Sequence, residues 1–187
     1  LKRAKAYIDD GADVIDIGCL PGTDFPHLEE AVSVLKSEGF SVSVDSMDSD
    51  ELLRADRAGA DYLLSLKEST LWIADEIQAT PVLIPETHPQ VDSLYRAMDT
   101  LSKLGKPFIA DSILDPIHFG FTESIIRYSK LRSRYPHAEI MMGVGNLTEL
   151  TEADTSGINA ILFGVISELE INNVLTTQVS PHACSAI

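Results

Sequence analysis

Cysteine is scarce in this sequence: Cys19 and Cys184 stand near opposite ends of a 187-residue chain, in no metal-ligand spacing. Two thiols so placed exclude a disulfide framework and fit a reducing, cytoplasmic setting. Long apolar runs are missing too. No stretch approaches the roughly 20 residues that cross a bilayer, and nothing reads as a signal peptide. Basic residues are few, 14 against 29 acidic ones, for a net charge of −15. Binding a nucleic-acid backbone needs a positive stripe, and an anionic membrane would repel this surface, so both partners are excluded. The surplus of acid reads as a solvated surface. A glycine-rich phosphate turn is also absent. Residues Asp16 to Gly22 (DIGCLPG) hold two glycines in no such spacing, which counts against a doubly wound dinucleotide fold. Neither a Ser-His-Asp order nor a reactive-cysteine context stands out.

What is present is an alternation of two periodicities. With 44% hydrophobic and 23% charged residues, the chain has enough apolar material for one domain over residues 1–187. Short runs rich in Val, Ile and Leu are expected as strands at Asp13 to Gly18, Phe40 to Asp45, Tyr62 to Leu66, Pro81 to Pro85, Phe108 to Asp111, Glu139 to Val144 and Ala160 to Val165. Continuous apolar runs mean strands covered on both faces, as in parallel sheets. Amphipathic patterns between them predict helices over Leu1 to Asp10, Phe25 to Glu38, Asp48 to Ala58, Ser69 to Gln78, Gln90 to Leu104 and Thr122 to Tyr135, with a short one near Leu150 to Ser156. Gly39, Gly59, Gly105 and Gly157 follow these patterns, where a left-handed residue closes a helix. Phrases such as GAD at Gly11 and Gly59, and SGINA at Ser156, join helix ends to strands.

Seven strands behind a leading helix predict an α/β fold, a (β/α)8 TIM barrel of parallel strands without its first strand and last helix. The chain begins at Leu1 and ends at Ile187 after a loop-like stretch, so it reads as a fragment of a longer chain. A barrel lacking one strand exposes two strand edges, and pairing into a homo-oligomer is the expected remedy.

In a parallel barrel, chemistry gathers where strands end. Read strand by strand, that rim holds Asp16 with Cys19; Asp45 and Ser46; Ser65 with Lys67; Glu86, Thr87 and His88; Asp111, Ser112 and Asp115; Gly145 and Asn146; and Ser167 to Glu170. Acids dominate. An amino-pyrimidinone ring presents an N–C(NH2)–N edge that donates paired hydrogen bonds, and a carboxylate accepts both in a fork. Asp45 and one of Asp111 or Asp115 are therefore ring-holding candidates, the alternative being that strand-end aspartates cap the following helices. Asn146, in GVGN, offers a donor and an acceptor beside two glycines, or simply makes a turn. Glu86, His88 and His118 are either metal-ligand candidates with an aspartate or loop residues, and their spacing is not diagnostic of zinc. Met141 and Met142 read as core.

These residues also resemble a known family. AKAYIDDGADVIDIG and SVSVDSMDSDELLRADRAGADYL look like consecutive signatures of the pterin-binding, dihydropteroate synthase-like barrels. FIADSILDPIHFGF resembles that family's strand ending in Asp-Pro-Gly, and IMMGVGN stands where Gly-x-Ser-Arg-Lys is expected. The similarity covers nearly the whole chain and is closest to the dihydropteroate synthase-related branch, typified by GVGNLTELTEADTSGINAILFG and VLTTQVS.

The resemblance implies pterin-binding roles for Asp45, for Asp111 or Asp115, and for Asn146, with Asp16, Ser65, Glu86, His88 and His118 as rim contributors. The synthase's asparagine falls at Leu64 or Ser65, its lysine at Leu147 and its late arginine near Glu170, so those three groups are lost here; its Ser-Thr-Arg-Pro-Gly loop is shortened to Leu20, Pro21 and Gly22. The implied activity is a transferase of folate or methanopterin biosynthesis, condensing a dihydropterin-methyl diphosphate with an arylamine. Mg2+ would take over the leaving charge from the missing cations. Asn146 resembles the asparagine of methyltetrahydrofolate:corrinoid methyltransferases, which implies methyl transfer to a corrinoid partner as an alternative. A non-catalytic pterin scaffold serving a C-terminal domain partner and a metal-dependent hydrolase are compatible with the same rim.

Overall fold

The structure, a computed structural model, describes residues 1–151 and 155–178. Cys184 and the end of the VLTTQVS phrase lie outside the described residues. Two compact units are present, one formed by Leu1–Leu83 with Asp99–Phe108 and the other by Ile84–Met98 with Ile109–Ile187.

In the first unit the order is α1 (Lys2–Asp9), β1 (Val14–Gly18), α2 (Leu28–Ser37), β2 (Ser41–Asp45), α3 (Ser49–Arg57), β3 (Tyr62–Leu66), a 3-10 helix (Glu68–Asp75) and β4 (Thr80–Leu83). The strands lie side by side in chain order and pair in parallel. Parallel neighbours need a crossover, and the helices between them supply it. Register pairs Gly18 with Asp45 and Asp45 with Leu64, so the carboxyl ends of β1, β2 and β3 finish level. Val42, Val44 and Leu63 are fully buried, as expected of strands covered on both faces.

The second unit contains the start of α4 (Asp92–Lys103), then β5 (Ile109–Ala110), α5 (Phe121–Arg134), β6 (Glu139–Gly143), α6 (Gly145–Thr148), α7 (Thr155–Glu168) and β7 (Asn173–Leu175). Strands β5, β6 and β7 are again parallel and in chain order. Met142 is fully buried and Met141 half-buried. No helix among the described residues is long and apolar enough to cross a membrane.

Six of the seven expected strands are present within a residue or two. The exception is Ala160 to Val165, which lies inside α7; the seventh strand is Asn173–Leu175. The buried residues of α7 are Thr155, Asn159, Leu162 and Ile166, spaced by four, three and four, which is the helical period. A short apolar run cannot be told from a buried helix by hydrophobicity alone. Gly157 therefore sits within a helix and closes none, and SGINA begins α7 instead of leading into a strand, whereas Gly39, Gly59 and Gly105 do have left-handed backbone after their helices. The short helix expected near Leu150 to Ser156 falls partly on residues 152–154, outside the described residues; α6 precedes it.

Candidate functional site

In the first unit, the carboxyl ends of the strands carry two acids, each tied to a serine. Ser43 Oγ donates to Asp16 Oδ1 at 2.6 Å, and Ser65 Oγ donates to Asp45 Oδ1 at 2.6 Å. Ser43 and Asp45 are two apart on β2 and so face the same side of the sheet. Ser65 has φ of 72°, in a stretch of β3 where the register to β4 shifts between Leu63 and Leu66. A left-handed serine inside a strand costs on the order of 1 kcal/mol or more, and such strain persists only where the surroundings over-determine it. Here it aims the hydroxyl at Asp45.

The alternative role for Asp45, capping α3, belongs to Asp48, whose side chain accepts from the backbone N–H of Asp50 at 2.8 Å and of Glu51 at 3.3 Å. Asp45 Oδ2 has no hydrogen-bond partner among the described residues, so its carboxylate keeps an acceptor for a ligand.

Desolvation pushes Asp16 up from the ordinary 3.8 to about 6, the Asp45 charge adds to this, and the Ser43 hydrogen bond opposes it. Asp16 is nevertheless exposed by accessibility, so solvent screens it and its energetic effect is much smaller than that of a buried acid. The folded state binds this proton more tightly than the unfolded chain. Stability from Asp16 is therefore complete below about pH 4 and is lost as pH rises through about 6. Asp16→Asn is expected to melt like the parent at pH 4 and above it at pH 7, in paired thermal scans. Equal melting points at both pH values would refute the shift.

Cys19 lies beside these acids. Burial, with the negative charges of Glu51 and Asp45, pushes its thiol up to about 12, so it is an unreactive neighbour. Glu51 itself is buried and accepts from Ser46 Oγ.

The second unit carries a different constellation. His88 follows β4, and its Nε2 lies 2.6 Å from Asp115 Oδ1. Arg127, on the buried face of α5, donates to Asp115 Oδ2 at 2.7 Å, to the Ile113 carbonyl at 2.8 Å and to the Ser112 carbonyl at 3.2 Å. Both oxygens of Asp115 are thus engaged. Asp111 Oδ1 accepts from the Ile113 N–H at 2.7 Å and from the hydroxyl of fully buried Tyr128 at 2.5 Å. Burial and then the Asp111 charge raise the Tyr128 phenol well above its ordinary range. The loop these contacts hold is strained, with positive φ at Ile113, His118 and Gly120.

Of the remaining rim candidates in this unit, the Glu86 N–H donates to Ser93 Oγ at 2.9 Å. His118 is exposed and lines an open hollow of about 350 Å³ with Ile117, Phe121 and Glu123. Asn146 is the second residue of α6 and donates through Nδ2 to the Leu114 carbonyl at 3.1 Å. Among the described residues no group of three His, Cys, Asp or Glu side chains is placed to hold a metal. Ser167 to Glu170, expected as a strand end, close α7 instead.

The group after the true β7 is Thr177, which packs against Gly145 and donates to Glu149 Oε1 at 2.7 Å. Sequence reasoning missed both Thr177 and Arg127. A strand of three residues has too little pattern to reveal Thr177. Arg127 had a signal, an arginine on the stripe Ser124, Tyr128 and Leu131 that α5 buries.

No model of a known protein family matches the chain. An uncharacterized protein of Methanocaldococcus jannaschii is 31% identical over 196 residues, covering 93% of this chain and 37% of that protein. The chain thus spans little more than a third of that relative. Among solved structures, dihydropteroate synthase from Thermus thermophilus in complex with 4-aminobenzoate superposes with a TM-score of 0.70 at 14% identity, covering 100% of this chain and 86% of that one. The Yersinia pestis enzyme with a pterin–sulfa conjugate gives 0.68 at 14% identity, covering 99% of this chain and 83% of that one. The fold is that of the dihydropteroate synthases, the parallel (β/α)8 barrel.

Proposed function

We propose that this chain binds a pterin and serves an enzyme of one-carbon carrier metabolism, condensing a dihydropterin-methyl diphosphate with an arylamine such as p-aminobenzoate or a ribofuranosyl derivative. The observation that carries the reading is Asp45, held by a strained Ser65 with one carboxylate oxygen open, on the fold of dihydropteroate synthases. A carboxylate so oriented matches the paired N–H donors of the pterin's amidine edge. Two of the solved synthases, from Thermus and Yersinia, were captured with 4-aminobenzoate and with a pterin–sulfa conjugate, which supports the same two substrate classes.

In the reaction the amine nitrogen forms a bond to the exocyclic methylene, and the C–O bond breaks with its electron pair leaving on the diphosphate. The resemblance puts Leu147 at the synthases' lysine, whereas Glu170, expected at their late arginine, follows α7 and no strand. Mg2+ would supply the missing positive charge, and with no three-carboxylate or histidine cluster among the described residues it would arrive on the diphosphate itself. Methyl transfer to a corrinoid is the second reading, favoured by Asn146: its amide nitrogen is fixed on Leu114 and its oxygen has no partner among the described residues.

Asp45→Asn tests the main reading. Losing a charge-assisted fork removes about 3 kcal/mol, so calorimetric titration with a dihydropterin should show affinity about 100-fold weaker than in the parent. Failure of the parent to bind any pterin would overturn the reading.

A further inference from the structure

We propose that Lys67 is the cation that receives the substrate's diphosphate, placed by a bulge in β3 on the face of the sheet that carries Asp45. The proposal rests on the condensation reading above, which leaves the departing group without a protein charge.

The placement follows from the strand ladder of the first unit. Residues paired across neighbouring strands share a face, and successive residues of one strand alternate between faces. Asp45 pairs with Leu64, so Leu63 lies on the opposite face. Leu63 pairs with Pro81 and Leu66 with Leu83. Pro81 and Leu83 are two apart, so Leu66 shares the face of Leu63. Three steps along β3 thus match two along β4, which is a bulge, and Ser65 with its φ of 72° sits in it. Past the bulge the alternation is inverted. Lys67 follows Leu66 in extended backbone, with φ of −119° and ψ of 171°, and so comes out on the face of Asp45. In an unbulged strand it would share the face of Leu63. At about 3.3 Å per residue and about 5 Å between strands, its Cα lies roughly 8 Å from that of Asp45, a span that one ligand can bridge.

The head group is uncommitted. Lys5, Lys36, Lys106, Arg54 and Arg127 each meet a carboxylate. Lys67 is half-buried, yet its ammonium donates to no acceptor among the described residues. Its backbone is fixed instead: the N–H donates to Thr70 Oγ1 at 2.9 Å, and the carbonyl accepts from the Thr70 N–H at 3.1 Å. A fixed stem carrying a free point charge suits a phosphate oxygen.

When the C–O bond breaks, its electron pair goes to the oxygen of the departing diphosphate. Lys67 stabilises that charge by donating an N–H and stays protonated, and the proton shed by the amine nitrogen passes to bulk water.

The test is calorimetric titration of the full-length protein, in Mg2+ and without an arylamine, with hydroxymethyl-dihydropterin and with its diphosphate ester. The parent should favour the ester. Lys67→Met should bind the ester about 10- to 100-fold more weakly while holding the alcohol as the parent does, and Lys67→Arg should keep most of the preference. In turnover with p-aminobenzoate, Lys67→Met should lower kcat and leave the arylamine KM unchanged. An undiminished ester preference in Lys67→Met would overturn the assignment. A parent that binds alcohol and ester alike would do the same and leave ring binding standing. Equal weakening of both ligands would mark Lys67 as structural, and a loss confined to the arylamine KM would make it a contact of the amine; either result overturns the proposal. A parent that binds neither ligand would overturn the ring reading and this inference with it.

Discussion

Arg127→Met should destabilise the second unit by roughly 3–5 kcal/mol, the largest loss expected of any single substitution at this site. The guanidinium is 10% accessible and spans three acceptors, the Asp115 carboxylate and the carbonyls of Ser112 and Ile113. Methionine preserves much of the volume, so the loss comes from what remains: a buried carboxylate matched only by a histidine, and two carbonyls without donors. Urea denaturation would measure it as a lower midpoint. A paired change, Arg127→Met with Asp115→Leu, separates charge from shape. Removing both partners deletes the uncompensated charge, so the double variant should recover much of the stability. A single variant as stable as the parent would show that the pair adds nothing.

Gly120→Ala should cost at least about 2 kcal/mol through two independent effects. The backbone there has φ of 120°, a region that L side chains rarely adopt, and the new Cβ would meet Asp115 Oδ2 at 2.8 Å and its Cγ at 3.1 Å. Displacing that carboxylate should loosen His88 as well. Gly105→Ala is the control: φ there is 67° but no atom lies within 4 Å of the added methyl, so only the backbone term, on the order of 1 kcal/mol, applies. Comparable losses at the two positions would mean that Asp115 yields freely and that the loop is not shaped around it.

Much of the fold was legible because burial on two faces leaves a local trace. Tyr62–Leu66 is a continuous apolar run bounded by polar residues, and it is a strand with the expected limits. Asp48 ahead of Ser49 marked a helix start through ordinary capping chemistry. Legibility failed where pattern became ambiguous or short. AILFGV has a strand's composition but belongs to a helix whose buried residues recur every three or four positions, and NVL is too brief to advertise itself. The stretch expected as a helix from Ser69 became a 3-10 segment, Glu68–Asp75.

At the site, sequence alone determined which elements end in acids, because strand periodicity and the loop that follows are local properties. Asp16, Asp45, Asp111 and Asp115 could all be named from it. Only tertiary structure decided what each acid does. Asp45 is bound by a serine 20 residues away on the next strand, while Asp115 is claimed by His88 and Arg127 at separations of 27 and 12. Such partners are chosen by which strands lie side by side and which backbone dihedrals close the loops between them. That choice depends on the packing of the whole chain, and no window of neighbouring residues contains it.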